Sequence, residues 1–283
     1  MANVIKIKKG LDINLKGKAS DVLLNGGKSD TYAIVPDYYN GIVPKVVAKV
    51  GEKVKAGSVL MIDKNRPEIK FVSPVSGEVT AVNRGEKRKV LSVVVKPEAQ
   101  IEYEDFGKKN VASLKREEVK EAIQQAGMWP FIKQRPYDIV ASPADEPRDI
   151  FVSAFYSAPL APNFDFVVKG QEVDFQTGLD ALAKLTDGKV YVGIRKGSSV
   201  SVKGVETVEV EGPHPAANVG VQINHIKPVN KGEVVWTVNP ADVIVIGRLF
   251  NKGIADFSRL VVITGSETTE RGYVKAIAGC TIS

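Results

Sequence analysis

The chain has 283 residues, 43% hydrophobic and 25% charged, with a formal net charge of +6. This is a globular composition, long enough for about two domains of roughly 150 residues and for a core that needs neither disulfides nor a structural metal. Cys280 is the only cysteine, which excludes a disulfide framework and any Cys-rich zinc or iron–sulfur site.

The first 6 residues have neither the apolar core nor the small-residue cleavage site of a signal peptide. The longest apolar runs, such as residues 90–95, fall far short of the roughly 20 residues of a spanning helix. Any relation to a membrane is expected to be peripheral or through partner subunits. Basic residues cluster at Lys6/Lys8/Lys9 and at Arg84/Lys87/Arg88/Lys89. They come without RNA-binding aromatics or a helix-turn-helix pattern, so they read as solvated faces or subunit contacts, with no nucleic acid expected.

From residue 32 to 95 short β-type runs alternate with turn residues. Val50-Gly51-Glu52-Lys53-Val54-Lys55-Ala56-Gly57-Ser58-Val59-Leu60 places glycines where tight turns need positive φ. Ser73-Pro74-Val75-Ser76-Gly77-Glu78-Val79 repeats a strand–turn–strand pattern. Over residues 40–96 these pieces resemble the two halves of a lipoyl or biotinyl domain, a barrel-sandwich hybrid. In that family the modified lysine sits at the tip joining the halves. Here the tip reads Asp63-Lys64-Asn65-Arg66-Pro67-Glu68, longer than usual and interrupted by Pro67. A packing module is favoured over a biotin or lipoate carrier on Lys64.

Residues 97–112 are polar and mixed, as at a domain boundary. Ser113 is expected to cap a helix to Ala126, with Leu114, Val119, Ala122, Ile123 and Ala126 as its apolar stripe and Gly127 as its stop. Residues 128–136 hold Trp129, Phe131 and two prolines and read as an ordered loop: core aromatics, or part of an aromatic ligand pocket.

Apolar strands follow at residues 149–154, 189–194, 206–210, 233–238 and 259–264. A helix over 171–186 carries Phe175, Leu179, Leu182 and Leu185. A second starts at Asn239 as cap with Pro240 in the first helical position, and stops before Gly253. Strands alternating with helices predict a doubly wound, largely parallel sheet. Neither G-x-G-x-x-G nor a P-loop is present. Gly193-Ile194-Arg195-Lys196-Gly197-Ser198-Ser199 is the nearest phosphate-binding candidate. His214 and His225 show no metal-ligand spacing, and no G-x-S-x-G elbow occurs. His214, held between Pro213 and Pro215, is a stiff turn residue or a ligand contact.

Five segments in this order are more specific. They are Ile5-Lys6-Ile7-Lys8-Lys9-Gly10-Leu11-Asp12-Ile13; residues 71–79 with Asn83-Arg84-Gly85-Glu86-Lys87-Arg88; Gly127-Met128-Trp129 with Arg135-Pro136; Gly178-Leu179-Asp180 with residues 185–192; and Gly212-Pro213-His214-Pro215-Ala216 with Pro228-Val229-Asn230. Together they resemble the family of A subunits of bacterial sodium-translocating NADH:quinone oxidoreductases, over essentially the whole chain.

The resemblance implies a barrel-sandwich hybrid over 1–100, a helical linker and loop over 101–136, and a Rossmann-like α/β domain over 137–265. That α/β domain would be similar to the flavin-binding subunit of respiratory complex I and to the C subunit of the Rnf complex. Family members continue with a β-grasp-like domain and a helical tail, so 266–283 is expected to open a further, truncated region. The implied role is a peripheral component on the cytoplasmic face of the bacterial inner membrane, structural and quinone-handling. The complex uses NAD, flavins, iron–sulfur clusters and quinone, and includes membrane-embedded subunits as partners; this chain is expected to bind no cofactor and not to be catalytic alone. The glycine-rich flavin loop and the cysteine set of the relatives are absent, so those sites do not carry over. The alternative is a flavin- or nucleotide-binding head with a degenerate site near 193–199. For a quinone, aromatic and apolar groups with one or two donors are the expected chemistry, and Trp129, Phe131, Phe155, Tyr156 and His214 are the candidates.

Overall fold

The computed structural model describes residues 3–282. In chain order the first strands are β1 (Asn3–Lys6), β2 (Tyr32–Ile34), β3 (Pro44–Val46), β4 (Lys53–Val54), β5 (Val59–Asp63), β6 (Lys70–Val72), β7 (Gly77–Arg84) and β8 (Val90–Pro97). Helix α1 (Arg116–Gln125) and the short strands β9 (Ile132–Arg135) and β10 (Ile139–Val140) follow. Next come β11 (Ile150–Ser153), α2 (Phe164–Val168), α3 (Glu172–Lys184), β12 (Val190–Arg195) and β13 (Glu206–Glu211). The last elements are α4 (Val219–Ile226), β14 (Val235–Val238), α5 (Pro240–Lys252), β15 (Ser258–Ile263) and β16 (Gly272–Ile277).

Two units form, and they interleave along the chain. One contains the residues up to Gly26, Glu146–Gly247 and Arg259–Ala276; the other contains Gly27–Asp145, Arg248–Ser258 and the residues from Ile277 on. The opening segment joins the α/β unit because β1 pairs in parallel with β13, Ile5 opposite Val210.

In the β unit, one sheet has the order β2-β8-β7-β4 and the other β3-β5-β6. Leu60, Val75, Val79, Val93 and Val95 fill the space they enclose. Gly51 and Gly57 adopt φ of +87° and +107°, the left-handed values that their turns are expected to need. The helix after the linker starts later than the sequence suggests. Ser113 lies in a 3-10 turn whose first N–H groups are served by Asn110, and α1 begins at Arg116. There the Glu118 carboxylate reaches back to the Lys115 N–H at 2.8 Å, so an acidic residue in the first turn does the work assigned to Ser113.

In the α/β unit the strand order is β1-β13-β12-β11-β14. The pairs β1/β13, β13/β12, β12/β11 and β11/β14 are all parallel. β11 and β14 are buried along their whole length, as strands covered on both faces must be. On α3, Phe175, Leu179 and Leu182 are buried as their spacing predicts. β15 departs from expectation: it leaves the doubly wound sheet and pairs with β16 in a sheet of two. Arg259 at its start is held by Asp242 in the first turn of α5, at 3.1 Å.

Candidate functional site

β11 has β12 on one side and β14 on the other. The connections on the two sides run in opposite directions, so the carboxyl end of β11 opens a crevice, the usual ligand position of such sheets. A cleft of about 570 Å³ lies on the β12 side of that end, walled by the loop from Phe155 to Asp165, by the segment from Asp12 to Asp21, and by Arg195 and Tyr273.

The first residues of the loop leaving β11 are held in place by specific contacts. The Arg195 guanidinium lies over the Phe155 ring, 5.7 Å from its centre, and donates to the Tyr156 carbonyl at 3.3 Å. The Tyr156 hydroxyl donates to Asn239 Oδ1 at 3.2 Å. The same oxygen accepts from the Ala241 N–H at 3.0 Å, so Asn239 caps α5 as expected and also orients Tyr156. Burial first, and then Asp242, push the Tyr156 hydroxyl up to about 12, against the opposing Asn239 hydrogen bond and Arg259. Tyr156 therefore stays a protonated donor throughout the neutral range.

Ser157 ties the loop to the Gly-Pro-His-Pro turn. Its Oγ accepts from the Ala217 N–H at 3.0 Å and lies 3.1 Å from His214 Nδ1. His214 is gripped through its backbone, its N–H donating to Asp12 at 2.8 Å and its carbonyl accepting from the Leu11 N–H at 2.9 Å. Below, Gln222 donates to Ser153 Oγ at 2.9 Å and to the Ala216 carbonyl at 3.1 Å.

The expected phosphate loop is already engaged. A single oxygen of Asp165 accepts from Ser198 Oγ at 2.8 Å, the Ser199 N–H at 2.6 Å and Ser199 Oγ at 2.8 Å. Partial burial opposes ionisation of Asp165, but these hydrogen bonds outweigh it and hold the carboxyl below its ordinary range. An internal carboxylate thus takes the donors a phosphate would need. Asp12, Asp21 and Asp165 on the cleft walls, against Lys18 and Arg195, make it a better host for a neutral ligand than for a nucleotide.

Of the residues read from sequence, Phe155 and Tyr156 line the cleft, and His214 adjoins it through Ser157. Trp129 and Phe131 belong to the other unit. Trp129 is 0% exposed and its indole N–H donates to the Ala141 carbonyl at 2.8 Å; Phe131 packs edge-on against Phe257. The Lys64 tip is clamped: Asp63 accepts from the Val43 and Asn65 N–H groups and from Arg66. Arg66 also donates to the Val140 and Gly41 carbonyls. Ser157, Asn239 and Asp165 are site residues that the sequence does not single out. Asn239 alone carries a signal, as a helix cap; the others matter through partners 33–60 residues away. Among the described residues no group of three or more His, Cys, Asp or Glu could hold a metal ion, and no helix is long and apolar enough to cross a membrane.

Comparison with known proteins places these units. The family model for the NqrA N-terminal barrel-sandwich hybrid domain matches residues 5–98, and that for the NqrA second alpha/beta domain matches residues 114–255. Similar curated proteins carry the name of the A subunit of the Na(+)-translocating NADH-quinone reductase. That of Neisseria meningitidis serogroup A is 37% identical, that of Hahella chejuensis 36% and that of Vibrio atlanticus 38%. Each alignment covers 99% of this chain and 64% of the relative, so the chain spans a little under two thirds of their length.

Proposed function

Since the chain belongs to the NqrA family, we propose that it serves as the NqrA component of a Na(+)-translocating NADH-quinone reductase, peripheral on the cytoplasmic face of the membrane, and that it handles quinone in the β11 cleft. In this reading the redox centres belong to partner subunits, and this chain supplies a shaped, hydrogen-bonding pocket.

The carrying observation is the wall made by Phe155, Tyr156 and the neighbouring Ser157–His214 pair. A quinone ring is planar, uncharged and bears two carbonyl acceptors. The Phe155 and Tyr156 rings and the loop aliphatics offer apolar contact, while Ser157 and Arg195 offer donors. Few convergent polar groups on an apolar wall are the usual make-up of a small-molecule site. The acidic walls weigh against a phosphorylated ligand, which favours quinone over the nucleotide alternative.

The test is a titration of the purified chain with a short-tailed benzoquinone, followed by ligand-observed NMR. Saturable binding is expected. Tyr156→Phe, which frees the ring from Asn239, and His214→Ala, which frees Ser157 from its partner, should each weaken it roughly fivefold. Binding that is absent, or indifferent to both changes, would remove the cleft from the quinone path. A stoichiometric flavin spectrum of the purified chain would instead favour the dehydrogenase-head reading.

A further inference from the structure

We infer that the segment from Lys6 to Lys18 is the surface by which the α/β unit lies against an anionic lipid bilayer. The inference rests on the quinone reading to this extent: a ligand dissolved in lipid must reach the cleft from the bilayer, and this segment forms one of the cleft walls.

Three observations point to it. Leu11, Ile13 and Leu15 are 69%, 54% and 55% exposed, three aliphatics close together on the surface. Lys6, Lys8, Lys9, Lys16 and Lys18 flank them, all exposed, and among the described residues none of the five forms an ion pair. Asp12, Ile13, Asn14, Leu15 and Lys18 also line the cleft, so the apolar and cationic strip is continuous with its rim.

The start of the segment is held in place. Leu11 N–H is bonded to the His214 carbonyl, Asp12 accepts from the His214 N–H, and a Cβ at Gly10 would collide with that same carbonyl oxygen. Farther along, the Leu15 N–H bonds back to the Ile13 carbonyl at 3.0 Å, so the chain turns at Asn14. Exposed aliphatics with unpaired lysines before and after them supply the two signals, apolar insertion and cationic attraction, that reversible membrane adsorption needs.

Sedimentation of the chain with vesicles of phosphatidylcholine, with or without one quarter phosphatidylglycerol, tests this. Binding to the anionic vesicles is expected, roughly tenfold or more above the neutral ones, and weakening as salt is raised. Leu11→Ser/Ile13→Ser/Leu15→Ser and, separately, Lys8→Glu/Lys9→Glu/Lys16→Glu should each lower it about tenfold with an unchanged circular dichroism spectrum. Lys87→Glu/Arg88→Glu, in the other basic cluster, should leave it as it was. No adsorption, adsorption that survives both arm variants, or loss on changing Lys87 and Arg88 would overturn the inference. So would an arm-dependent dimer in the absence of lipid, which would assign the strip to a protein contact. The benzoquinone titration is done without lipid, so quinone binding with no vesicle binding defeats this inference alone, and the reverse result defeats only the quinone reading.

Discussion

The loop at the tip of the β unit and the loop leaving β11 in the α/β unit use the same kinds of residue to opposite ends. At the tip, Asp63 and Arg66 spend their hydrogen-bonding capacity on backbone groups of neighbouring segments, and Lys64 stands exposed above an immobile hairpin. After β11, Tyr156 and Ser157 are positioned by one or two partners each and still face a cleft. A polar loop is a site only where its groups keep capacity for something outside the protein. The first loop is a clasp; the second is a wall with donors on it, mounted on a buried parallel strand.

Four changes would break or sharpen that contrast. The largest effect is expected at Asp149, which anchors the base of β11. It is 1% exposed and accepts from Arg148 Nε at 2.7 Å, Lys227 Nζ at 2.8 Å and the Lys189 N–H at 3.1 Å. Asp149→Ala should cost about 3–5 kcal/mol in urea unfolding, as for one half of a buried ion pair. Burial opposes its charge, yet the hydrogen bonds from Lys227, the Lys189 backbone and Arg148 win and hold its carboxyl below the ordinary range. A lowered folded-state value means stability that is present above about pH 3.9, the unfolded value, and is lost as pH falls through the folded one. Asp149→Asn should flatten that acid limb, and an unchanged limb would show that other carboxylates set it.

Asp63→Ala should cost about 2–3 kcal/mol by leaving Arg66 Nε and two backbone donors unserved. A neutral result in the same urea experiment would mean that the tip is not a clasp. Asn239→Ala should cost about 1 kcal/mol for the lost cap and should weaken quinone binding as well, because Tyr156 loses its orienting partner; Asp63→Ala should leave quinone binding alone. The smallest effect belongs to Lys64→Ala, within about 0.5 kcal/mol. Intact mass should show Lys64 unmodified after expression alongside biotin and lipoate ligases, and an added cofactor mass would revive the carrier reading.

Much of the local structure is legible in the residues. Asn239 with Pro240 announces the start of α5, and Phe175, Leu179 and Leu182 recur at helical spacing because each helix must bury one face. The glycines at 51 and 57 mark turns that other residues enter only with strain. What escapes depends on partners distant in the chain. Ile5 lies in a basic opening segment, and nothing local says that it will sit opposite Val210. Arg259 opens a strand-like run whose pairing with β16 only the tertiary structure decides. Trp129 looks like a ligand contact because a large aromatic beside prolines suits a pocket equally well as a core. The difference lies in whether its N–H finds a carbonyl inside, here that of Ala141. Asp165, one residue into α2, looks like an ordinary first-turn acid; its bonds to Ser198 and Ser199 are invisible until the loop is placed.

The pairing of β1 with β13 also carries a consequence for how the protein is made. Val4 emerges from the ribosome first, but its partner Glu209 follows about 200 residues later. At about 5–20 residues per second the first strand waits roughly 10–40 s for its place in the sheet. The intervening chain includes Gly27–Asp145, most of the β unit, so that unit has time to collapse while the α/β sheet still lacks an edge. During this interval Ile5 and Ile7 are unshielded on the nascent chain, beside Lys6, Lys8 and Lys9. Cations interspersed with an exposed strand discourage it from pairing with another chain, so the same lysines guard the segment during synthesis.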